Sequence, residues 1–226
     1  GLDVSVRAER KFAQAEHAKL ASFVTDLQLA RLSVNGEVIA TAVPPRLQIG
    51  KASVALPPGG FLQATACGEE TLARLAIEAL GKSKTVADLF CGVGPFAFRI
   101  AERARVEAYD NDRPAIAALN AAAKVTSGLK PLTAAVRDLF REPLVPNEMK
   151  DLDAVVFDPP RAGAEMQARQ LARSKVKTVV AVSCDAATFA RDAEILVSGG
   201  YALKRVTAVD QFKWSSHVEI VAQFTR

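Results

Sequence analysis

The sequence predicts an α/β fold built on a mostly parallel, seven-stranded sheet that ends in an antiparallel hairpin. From about residue 66, short apolar runs alternate with stretches of helical periodicity, a pattern typical of parallel strands joined by crossover helices. The last two apolar runs have no helix between them, so they are predicted to pair as an antiparallel hairpin that closes the sheet. The first 60 residues differ, with short polar and apolar stretches and frequent turn signals.

Each predicted element of the sheet region follows from its local pattern. Glu69 to Leu80 is amphipathic and is followed by Gly81, as expected of a helix with a glycine at its C-terminus. The predicted strands are 85–90, 105–109, 131–136, 153–157, 177–183, 201–208 and 217–224. The predicted helices between them are 95–104, 112–124, 163–173 and 186–198.

Residues 1–60 are predicted to form a small β-rich appendage, and residues 61–226 the main α/β domain. Within the appendage, residues 32–41 read as a β-hairpin around an Asn-Gly dipeptide, the strongest short signal for such a turn. The segment is too short to form a sizeable hydrophobic core alone, so we expect it to be the remnant of a central or N-terminal β-rich domain. Because the chain begins at Gly1 rather than Met, we expect a processed or truncated piece.

Composition narrows the class of protein. Of the 226 residues, 50% are apolar, which suffices for a packed core without covalent staples. No apolar run is long enough to span a bilayer and no secretory signal is present, so we expect a soluble, cytoplasmic protein that binds no membrane. The 3 dispersed cysteines and 2 histidines argue against a disulfide framework and a metal site. A net charge of +4 suits an anionic partner such as RNA.

A glycine-rich turn follows the first predicted strand of the sheet. It reads Asp88-Leu-Phe-Cys-Gly-Val-Gly94, and Gly92 and Gly94 allow a tight turn and a close approach of the backbone to a ligand. In open α/β sheets, ligands bind beyond the carboxyl ends of the strands, where this turn lies. The spacing matches neither the P-loop nor the full G-x-G-x-x-G motif. A ligand site is one interpretation, and a tight connection without a ligand is the other.

Acidic residues after the next strands are candidate ligand contacts. Asp110 ends the second strand roughly 20 residues after the glycines, where a carboxylate is placed to accept hydrogen bonds from both hydroxyls of a ribose. Asp112 is the alternative acid, although it is better explained as a helix N-cap. Asp138 follows the third strand, where a carboxylate is placed to accept from an adenine amino group. Together these residues predict an adenosine-shaped site, for which a nicotinamide dinucleotide is the second candidate ligand.

A stiff loop, Asp158-Pro-Pro-Arg-Ala-Gly163, follows the fourth predicted strand. Consecutive prolines restrict the backbone and remove two N–H donors, so the loop holds its carbonyls and Asp158 in one arrangement. An ordinary turn rarely needs such rigidity. We therefore predict that this loop belongs to a functional site rather than to a simple connection.

Cys184 is the candidate nucleophile. It follows the fifth predicted strand and precedes a helix, and the partial positive charge of a helix N-terminus is expected to lower the pKa of its thiol. A free thiol has a pKa of about 8.5, so this effect matters at neutral pH. The alternative is burial as a small apolar residue. Cys91 lies inside the glycine turn, and Cys67 is expected to be a packing residue outside the sheet.

The last predicted strand supplies the candidate base. Alternation along this strand places His217 and Glu219 on one face and apolar residues on the other. A carboxylate beside an apolar sheet is expected to have a raised pKa and to act as a base. The alternative for Glu219 is a solvated edge residue, and His217 is interpreted as a hydrogen-bonded structural group.

Four motifs, taken together in chain order, resemble the RNA 5-methyluridine methyltransferase family, which acts on ribosomal or transfer RNA. They are DLFCGVG, DPPRAG, VSCDAATFARDAEIL and HVEIVAQF, and Phe61-Leu-Gln-Ala-Thr65 is similar to the family's F-x-Q-x-N motif. The resemblance covers about residues 57–226. The predicted βα units and terminal hairpin resemble the class I (Rossmann-like) methyltransferase fold. The resemblance implies that residues 61–226 bind S-adenosylmethionine and methylate RNA, and we expect a monomer.

The resemblance also implies roles for individual residues. Cys184 matches the catalytic cysteine, Glu219 the base, and Asp158 the acid of the proline loop, close to the methionine end of the cofactor and to the target base. The family's cofactor-contacting positions are matched by Gln63, Phe90, Asp110 and Asp138. The family's usual S-C-N-P reads S-C-D-A at 183–186. Members commonly carry an N-terminal RNA-binding barrel, a four-cysteine iron–sulfur motif, or both, and the present sequence includes neither.

The implied reaction forms 5-methyluridine through a covalent adduct between Cys184 and C6 of uracil, with Glu219 removing the C5 proton. The target base must leave its stack to reach Cys184. The candidate RNA contacts at the rim are Arg161, Lys213 and Trp214. Two other functions stay open. One is an amino-methyltransferase acting on a base or an amide, which needs no cysteine, and the other is a non-catalytic RNA-binding module on a methyltransferase-like scaffold.

Overall fold

The helices and strands of the computed structural model follow the predicted alternation, and the structure describes residues 1–10, 12–212, 214–215 and 217–226. The helices are α1 (Gln14–Asp26), α2 (Ala66–Leu80), α3 (Ala97–Ala101), α4 (Arg113–Val125), α5 (Glu165–Ala172) and α6 (Ala186–Ser198). The strands are β1 (Asp3–Val6), β2 (Arg31–Val34), β3 (Glu37–Thr41), β4 (Arg46–Ile49), β5 (Ala52–Ala55), β6 (Thr85–Leu89), β7 (Arg105–Asp110), β8 (Leu132–Val136), β9 (Ala154–Phe157), β10 (Thr178–Ser183), β11 (Ala202–Val209) and β12 (Glu219–Thr225). Within the described residues, no helix is both long enough and apolar enough to cross a bilayer.

Seven strands form one sheet in the order β11-β12-β10-β9-β6-β7-β8, which confirms the predicted mostly parallel sheet with its antiparallel hairpin. The chain runs outward from β6 through β7 and β8, and in the other direction from β9 to β10, so the strand order reverses between β6 and β9. Such a reversal opens a crevice at the carboxyl ends of the strands. Because β12 is antiparallel to β10, with Ile220 opposite Ser183, the first residues of β12 lie at that same edge.

Both faces of the sheet are covered by helices, which explains why its strands read as apolar runs. In β9, Ala154 and Val156 pack into an apolar cluster with residues of α2, α3 and α4. Val155 and Phe157 point to the opposite face and pack into a second cluster with residues of α5 and α6. The two clusters fix the strand ends that carry the candidate site.

The N-terminal appendage contains the predicted hairpin and an unpredicted helix. β2 and β3 pair antiparallel around Asn35 and Gly36, whose φ angles of +52° and +83° are those that a type I′ turn requires. This pairing confirms the predicted hairpin. β1 adds to β2 in parallel, and α1 packs against β2 and β3 through a small apolar cluster centred on Val24 and Leu32.

The hairpin formed by β4 and β5 packs with the large sheet. Ile49, Ala52 and Val54 are fully buried and belong to the same apolar cluster as the helices α2 to α4. Residues 46–55, which the sequence pattern grouped with the appendage, therefore contribute to the core beneath the candidate site. The division of the chain at residue 60 stays a prediction.

Candidate active site

A cavity of about 470 Å³ opens at the carboxyl edge of the sheet, beside the point where the strand order reverses. The predicted site residues that line it are Gln63, Phe90, Gly92, Asp110, Asp158, Cys184 and Glu219. Gly94 and Asp138, both within the described part of the chain, lie outside this lining. The cavity has the volume of sites that bind small organic ligands, typically ~300–1,000 Å³.

The glycine turn after β6 contains residues with positive φ angles, a backbone conformation that residues other than glycine rarely adopt. Phe90, Gly92 and Gly94 have φ angles of +61°, +52° and +93°. A Cβ on Gly92 would project into open space beside the cavity, so glycine keeps that volume free. A Cβ on Gly94 would lie 2.9 Å from Cδ1 of Leu119, so this second glycine allows the turn to pack on α4.

Asp110 ties the glycine turn to the end of β7. Its Oδ2 accepts a hydrogen bond from the Gly92 N–H at 2.8 Å, and its Oδ1 accepts from the Asp112 N–H at 2.8 Å. Each carboxylate oxygen has a further lone pair for a ligand hydroxyl. Asp112 caps α4, with Oδ1 accepting from the Ala115 N–H at 3.0 Å, which confirms its interpretation as an N-cap.

Phe140, which follows β8, lines the cavity, although the sequence pattern did not identify it as a site residue. Asp138 Oδ1 accepts hydrogen bonds from the N–H groups of Phe140 and Arg141 at 3.1 and 3.3 Å, so this carboxylate caps a turn. The turn places the Phe140 ring 5.3 Å from that of Phe90, at an interplanar angle of 55°. The two rings form an apolar wall suited to a flat heterocycle. The available signal was the apolar pair Leu139-Phe140 directly after the acid.

A buried carboxyl group stands at the start of the glycine turn. Asp88 is fully buried, and neither of its oxygens has a hydrogen-bond partner among the described residues. Burial raises the pKa of Asp88 well above its usual range, and the charges of Asp158 and Asp110 raise it further. Acidic groups concentrated at one edge of a sheet favour a ligand that carries positive charge.

Asp158 lies in the cavity wall and accepts a hydrogen bond from one amide side chain, which is itself held by a second. Gln63 Nε2 donates to Asp158 Oδ2 at 3.4 Å, and Gln211 Nε2 donates to Gln63 Oε1 at 3.2 Å. Burial and the charge of Glu219 raise the pKa of Asp158 to about 7. A carboxyl group with that pKa exchanges protons readily at neutral pH.

Cys184 lines the cavity at the end of β10, but its electrostatic surroundings differ from the expectation. Burial raises the pKa of the thiol, and the charges of Glu219 and Asp158 raise it further. Arg161 opposes this shift of the pKa only in part. The N-terminus of α6 does not compensate, because Asp185 Oδ1 accepts its first N–H groups at 3.0 and 2.9 Å. The thiol pKa is therefore raised, and the predicted net lowering is wrong.

Glu219 begins β12 and is only 6% exposed, so it is not a solvated edge residue. Burial raises the pKa of its carboxyl group. The predicted alternation is seen in part, because Ala222 and Phe224 pack into the cluster on one face of the sheet. The opposite face is not polar, since Val221 packs into the other apolar cluster and Glu219 to Ala222 are all buried. A carboxylate with a raised pKa is a stronger base than a solvated one.

Two of the three candidate RNA contacts, Arg161 and Trp214, are exposed side chains, and the first of them lines the cavity. Arg161 is exposed, lines the cavity, and has its Nη2 3.1 Å from Nε2 of His217, which confirms His217 as a hydrogen-bonded group. Trp214 is 99% exposed, in the segment between β11 and β12. Lys213, the third candidate RNA contact, lies outside the described residues.

The other two cysteines lie in contrasting environments. Cys91 is buried, and burial raises the pKa of its thiol well above the usual range. Cys67 is exposed in the first turn of α2, so the expectation that it packs in the interior is wrong. Across the described ranges, no cluster of three or more His, Cys, Asp or Glu side chains is arranged to hold a metal ion.

Comparison with known sequences places these residues in a family. Residues 46–226 match the family described as tRNA (Uracil-5-)-methyltransferase. An uncharacterized RNA methyltransferase from Brucella suis biovar 1 is 52% identical over 226 residues, which cover 100% of this chain and 54% of that protein. The 23S rRNA (uracil(1939)-C(5))-methyltransferase RlmD from Pseudomonas putida is 36% identical over 237 residues, covering 98% of this chain and 51% of that protein.

Solved structures show the same fold. The Pyrococcus abyssi tRNA (uracil-54, C5)-methyltransferase, in complex with S-adenosyl-L-homocysteine, has a TM-score of 0.74 and 27% identity, and the match covers 86% of this chain and 49% of that one. This likeness confirms the predicted class I methyltransferase fold. The chain spans about half the length of the curated relatives it matches. Since the family match extends over most of its residues, the chain belongs to the tRNA (uracil-5-)-methyltransferase family.

Proposed function

We propose that this chain carries the catalytic site of an RNA methyltransferase that uses S-adenosylmethionine to form 5-methyluridine in ribosomal or transfer RNA. The observation that carries the proposal is that Cys184 and Glu219, from different strand ends, line one cavity together with Asp158. Methylation of uracil at C5 needs a nucleophile for C6 and a base for the C5 proton. A thiol and a carboxyl group with a raised pKa in one wall supply both.

The acidic end of the cavity fits S-adenosylmethionine. The wall formed by Phe90 and Phe140 suits an adenine ring, and Asp110 has acceptor sites for the ribose hydroxyls. The carboxyl groups of Asp110, Asp158 and Glu219 line the same cavity, and acidic residues there favour a ligand that carries sulfonium and ammonium groups. When bound, this cofactor supplies an electrophilic methyl group. Asp138 stays a predicted adenine contact.

Cys184 begins the proposed reaction. Its thiolate adds to C6 of the target uracil, and the electrons of the C5=C6 double bond move toward C5 and O4. This addition turns C5 into a nucleophile that accepts the methyl group. The thiol pKa is raised overall, and a backbone hydrogen bond at Cys184 and the charge of the Arg161 guanidinium act in the opposite direction and assist ionisation of the thiol.

Glu219 completes the proposed reaction. Its carboxylate removes the proton from C5, the electrons of that C–H bond re-form the C5=C6 double bond, and Cys184 leaves as a thiolate. Burial of Glu219 raises its pKa and so increases its affinity for this proton. Asp158, with a pKa of about 7, provides a second exchangeable proton site in the same wall.

The direct test is incubation of the full-length protein with unmodified ribosomal and transfer RNA and S-adenosylmethionine, followed by mass spectrometry of the nucleosides. We expect 5-methyluridine in one of the two RNA classes. Methylation of an exocyclic amino group would instead support an amino-methyltransferase. Cofactor binding without methyl transfer to either RNA would support a non-catalytic RNA-binding module.

Replacing Asp110 with alanine is expected to weaken binding of S-adenosylhomocysteine by about 10- to 100-fold. The change removes the carboxylate that accepts hydrogen bonds from the ribose, and a hydrogen bond to a charged group contributes ~1.5–3 kcal/mol. Isothermal titration calorimetry measures the change. Asp26→Ala, at an exposed position at the end of α1 and outside the cavity lining of the described structure, is the control, and its binding constant should stay within about twofold of the wild type. Unchanged binding by Asp110→Ala would remove Asp110 from the cofactor site.

Replacing Trp214 with alanine is expected to raise the KM for RNA about 5- to 100-fold, because stacking on one base is worth ~1–3 kcal/mol. Trp214→Phe keeps an aromatic surface and should recover most of the affinity. Binding of S-adenosylhomocysteine should be the same in all three proteins, because Trp214 is not among the residues that line the cavity in the described structure. An unchanged KM for RNA in Trp214→Ala would exclude this stacking role.

A further inference from the structure

Three side chains of α6 contact the proline loop, residues 158–163. They are Thr188, Arg191 and Asp192, and we call them the α6 clasp. Their spacing of three and four residues places them on one face of the helix. Two of them donate to carbonyl groups of the loop at 3.0 and 2.9 Å, and the third accepts the N–H of Ala164, the residue that follows the loop, at 2.6 Å.

The two carbonyl contacts hold the loop at its cavity-lining arginine. Thr188 Oγ1 donates to the carbonyl oxygen of Arg161, and Arg191 Nη2 donates to that of Ala162. Two prolines precede these carbonyls, so the chain leading to them is already stiff. The clasp therefore fixes the direction in which the Arg161 side chain leaves the loop.

Asp192 is the buried centre of the clasp, with 3% of its surface exposed. Its Oδ2 accepts the Ala164 N–H, while its Oδ1 accepts from Nη2 and Nε of Arg191 at 2.8 and 3.0 Å. Both oxygens are used, and the charge is balanced by the arginine. The Arg191 side chain is 37% exposed, so only Asp192 is buried, and loss of Arg191 would leave this buried carboxylate without its charged partner.

Gly163 shows how closely the loop and the clasp fit. Its φ is +74°, and a Cβ there would lie 2.5 Å from Arg191 Nη2 and 2.7 Å from Asp192 Oδ2. Glycine is therefore required both by the backbone conformation and by the space. Because Gly163 has no side chain, Arg191 and Asp192 can approach the backbone at the end of the proline loop.

The clasp and the proposed nucleophile belong to one stretch of chain. α6 begins at Ala186, two residues after Cys184. The loop that the clasp holds carries Asp158 and Arg161, and both line the same cavity as Cys184. The charges of both also act on the Cys184 thiol, one raising and one lowering its pKa. A shift of α6 against the loop would change these distances together.

We infer that the α6 clasp sets the position of Arg161 relative to Cys184, so that Thr188, Arg191 and Asp192 are positioning residues for methyl transfer. The identification of the reaction as methyl transfer to RNA rests on the proposed function. A misplacement of ~1 Å in an active site lowers rates by up to ~100-fold, so a partly released loop should have a measurable effect.

Thr188 offers the sharpest test, because it is only half-buried and its replacements conserve shape. Thr188→Val removes the hydroxyl that bonds to the loop, and Thr188→Ser keeps it. With the full-length protein, we expect Thr188→Val to lower the single-turnover rate at saturating RNA and cofactor about tenfold, with the KM for RNA within about twofold. Thr188→Ser should restore the rate. Glu194→Gln, on an exposed position of α6, is the control and should match the wild type.

Alkylation of Cys184 by iodoacetamide, followed by peptide mass spectrometry, provides a readout that needs no substrate. The exposed Cys67 is the internal reference. We expect Thr188→Val to change the labelling rate of Cys184 relative to Cys67 by about threefold or more, because the thiol responds to its charged neighbours. An unchanged labelling ratio, or a Thr188→Ser variant as slow as Thr188→Val, would overturn the inference. Absence of 5-methyluridine with the wild type would overturn the proposed function instead, while the labelling ratio would still decide the role of the clasp.

Discussion

Replacing Cys184 with alanine is expected to lower the formation of 5-methyluridine by at least about 1,000-fold, because C6 of uracil then has no nucleophile and C5 stays unreactive. The measurement is a single-turnover assay with labelled S-adenosylmethionine and the full-length protein. Binding of S-adenosylhomocysteine should be little affected, since the proposed adenosine contacts come from the ends of β6, β7 and β8.

Cys67→Ala is the matched control for this experiment. Cys67 is an exposed cysteine outside the cavity lining of the described structure, and its loss should leave the rate unchanged. Activity retained by Cys184→Ala would remove Cys184 from the mechanism. That outcome would favour the amino-methyltransferase, which has no need for a thiol.

A pH profile checks the same assignment. Burial and two neighbouring carboxylates raise the pKa of the Cys184 thiol above its ordinary value, so the thiol form predominates at neutral pH. Below that pKa, each unit of pH lowers the thiolate fraction about tenfold. The single-turnover rate should therefore rise from pH 6 to pH 8, and a rate that falls over this range would contradict a thiolate nucleophile.

The sheet could be predicted from the sequence because its central strands, β6, β9 and β10, are apolar runs that are almost entirely buried and bounded by turn residues. α1 was missed for the opposite reason. Its residues show little amphipathic pattern, and the residue at its N-cap, Ala13, has no side chain that can accept a hydrogen bond. The cap is made instead by Glu16, whose Oε2 accepts the Ala13 N–H at 2.8 Å. β1 was missed because its four residues pair with β2, a partner 28 positions away.

For the site, the local sequence pattern predicted where the residues lie, but it did not predict properties that depend on contacts with distant parts of the chain. Asp110, Asp158 and Cys184 each follow a strand, so the sequence alone brought them to one edge. The direction of the Cys184 pKa shift was mispredicted, because it depends on burial of the thiol and on the charges of Glu219 and Asp158, which come from other parts of the chain. The position of Phe140 depends on a turn capped by the preceding acid, which no periodicity indicates.

Replacing Glu219 with glutamine is expected to trap the RNA on the protein. Glutamine has nearly the shape of glutamate but accepts no proton, so the proton on C5 stays in place after methylation. The thiolate leaves C6 only as that proton is removed, and Cys184 therefore stays bonded to the methylated uracil. We expect turnover to fall by about 100- to 10,000-fold and a covalent adduct to migrate as a shifted band on a denaturing gel.

The adduct also distinguishes the two carboxyl groups of the cavity wall. If Glu219 is the base, Glu219→Gln accumulates the adduct, whereas Asp158→Asn slows the reaction without accumulating it. The reverse pattern would assign the base to Asp158, whose pKa of about 7 also suits a proton acceptor. The double variant Cys184→Ala/Glu219→Gln should form no adduct, because the sulfur that makes the bond is gone. Free turnover by Glu219→Gln would refute Glu219 as the base, since glutamine in its place has no way to take the C5 proton.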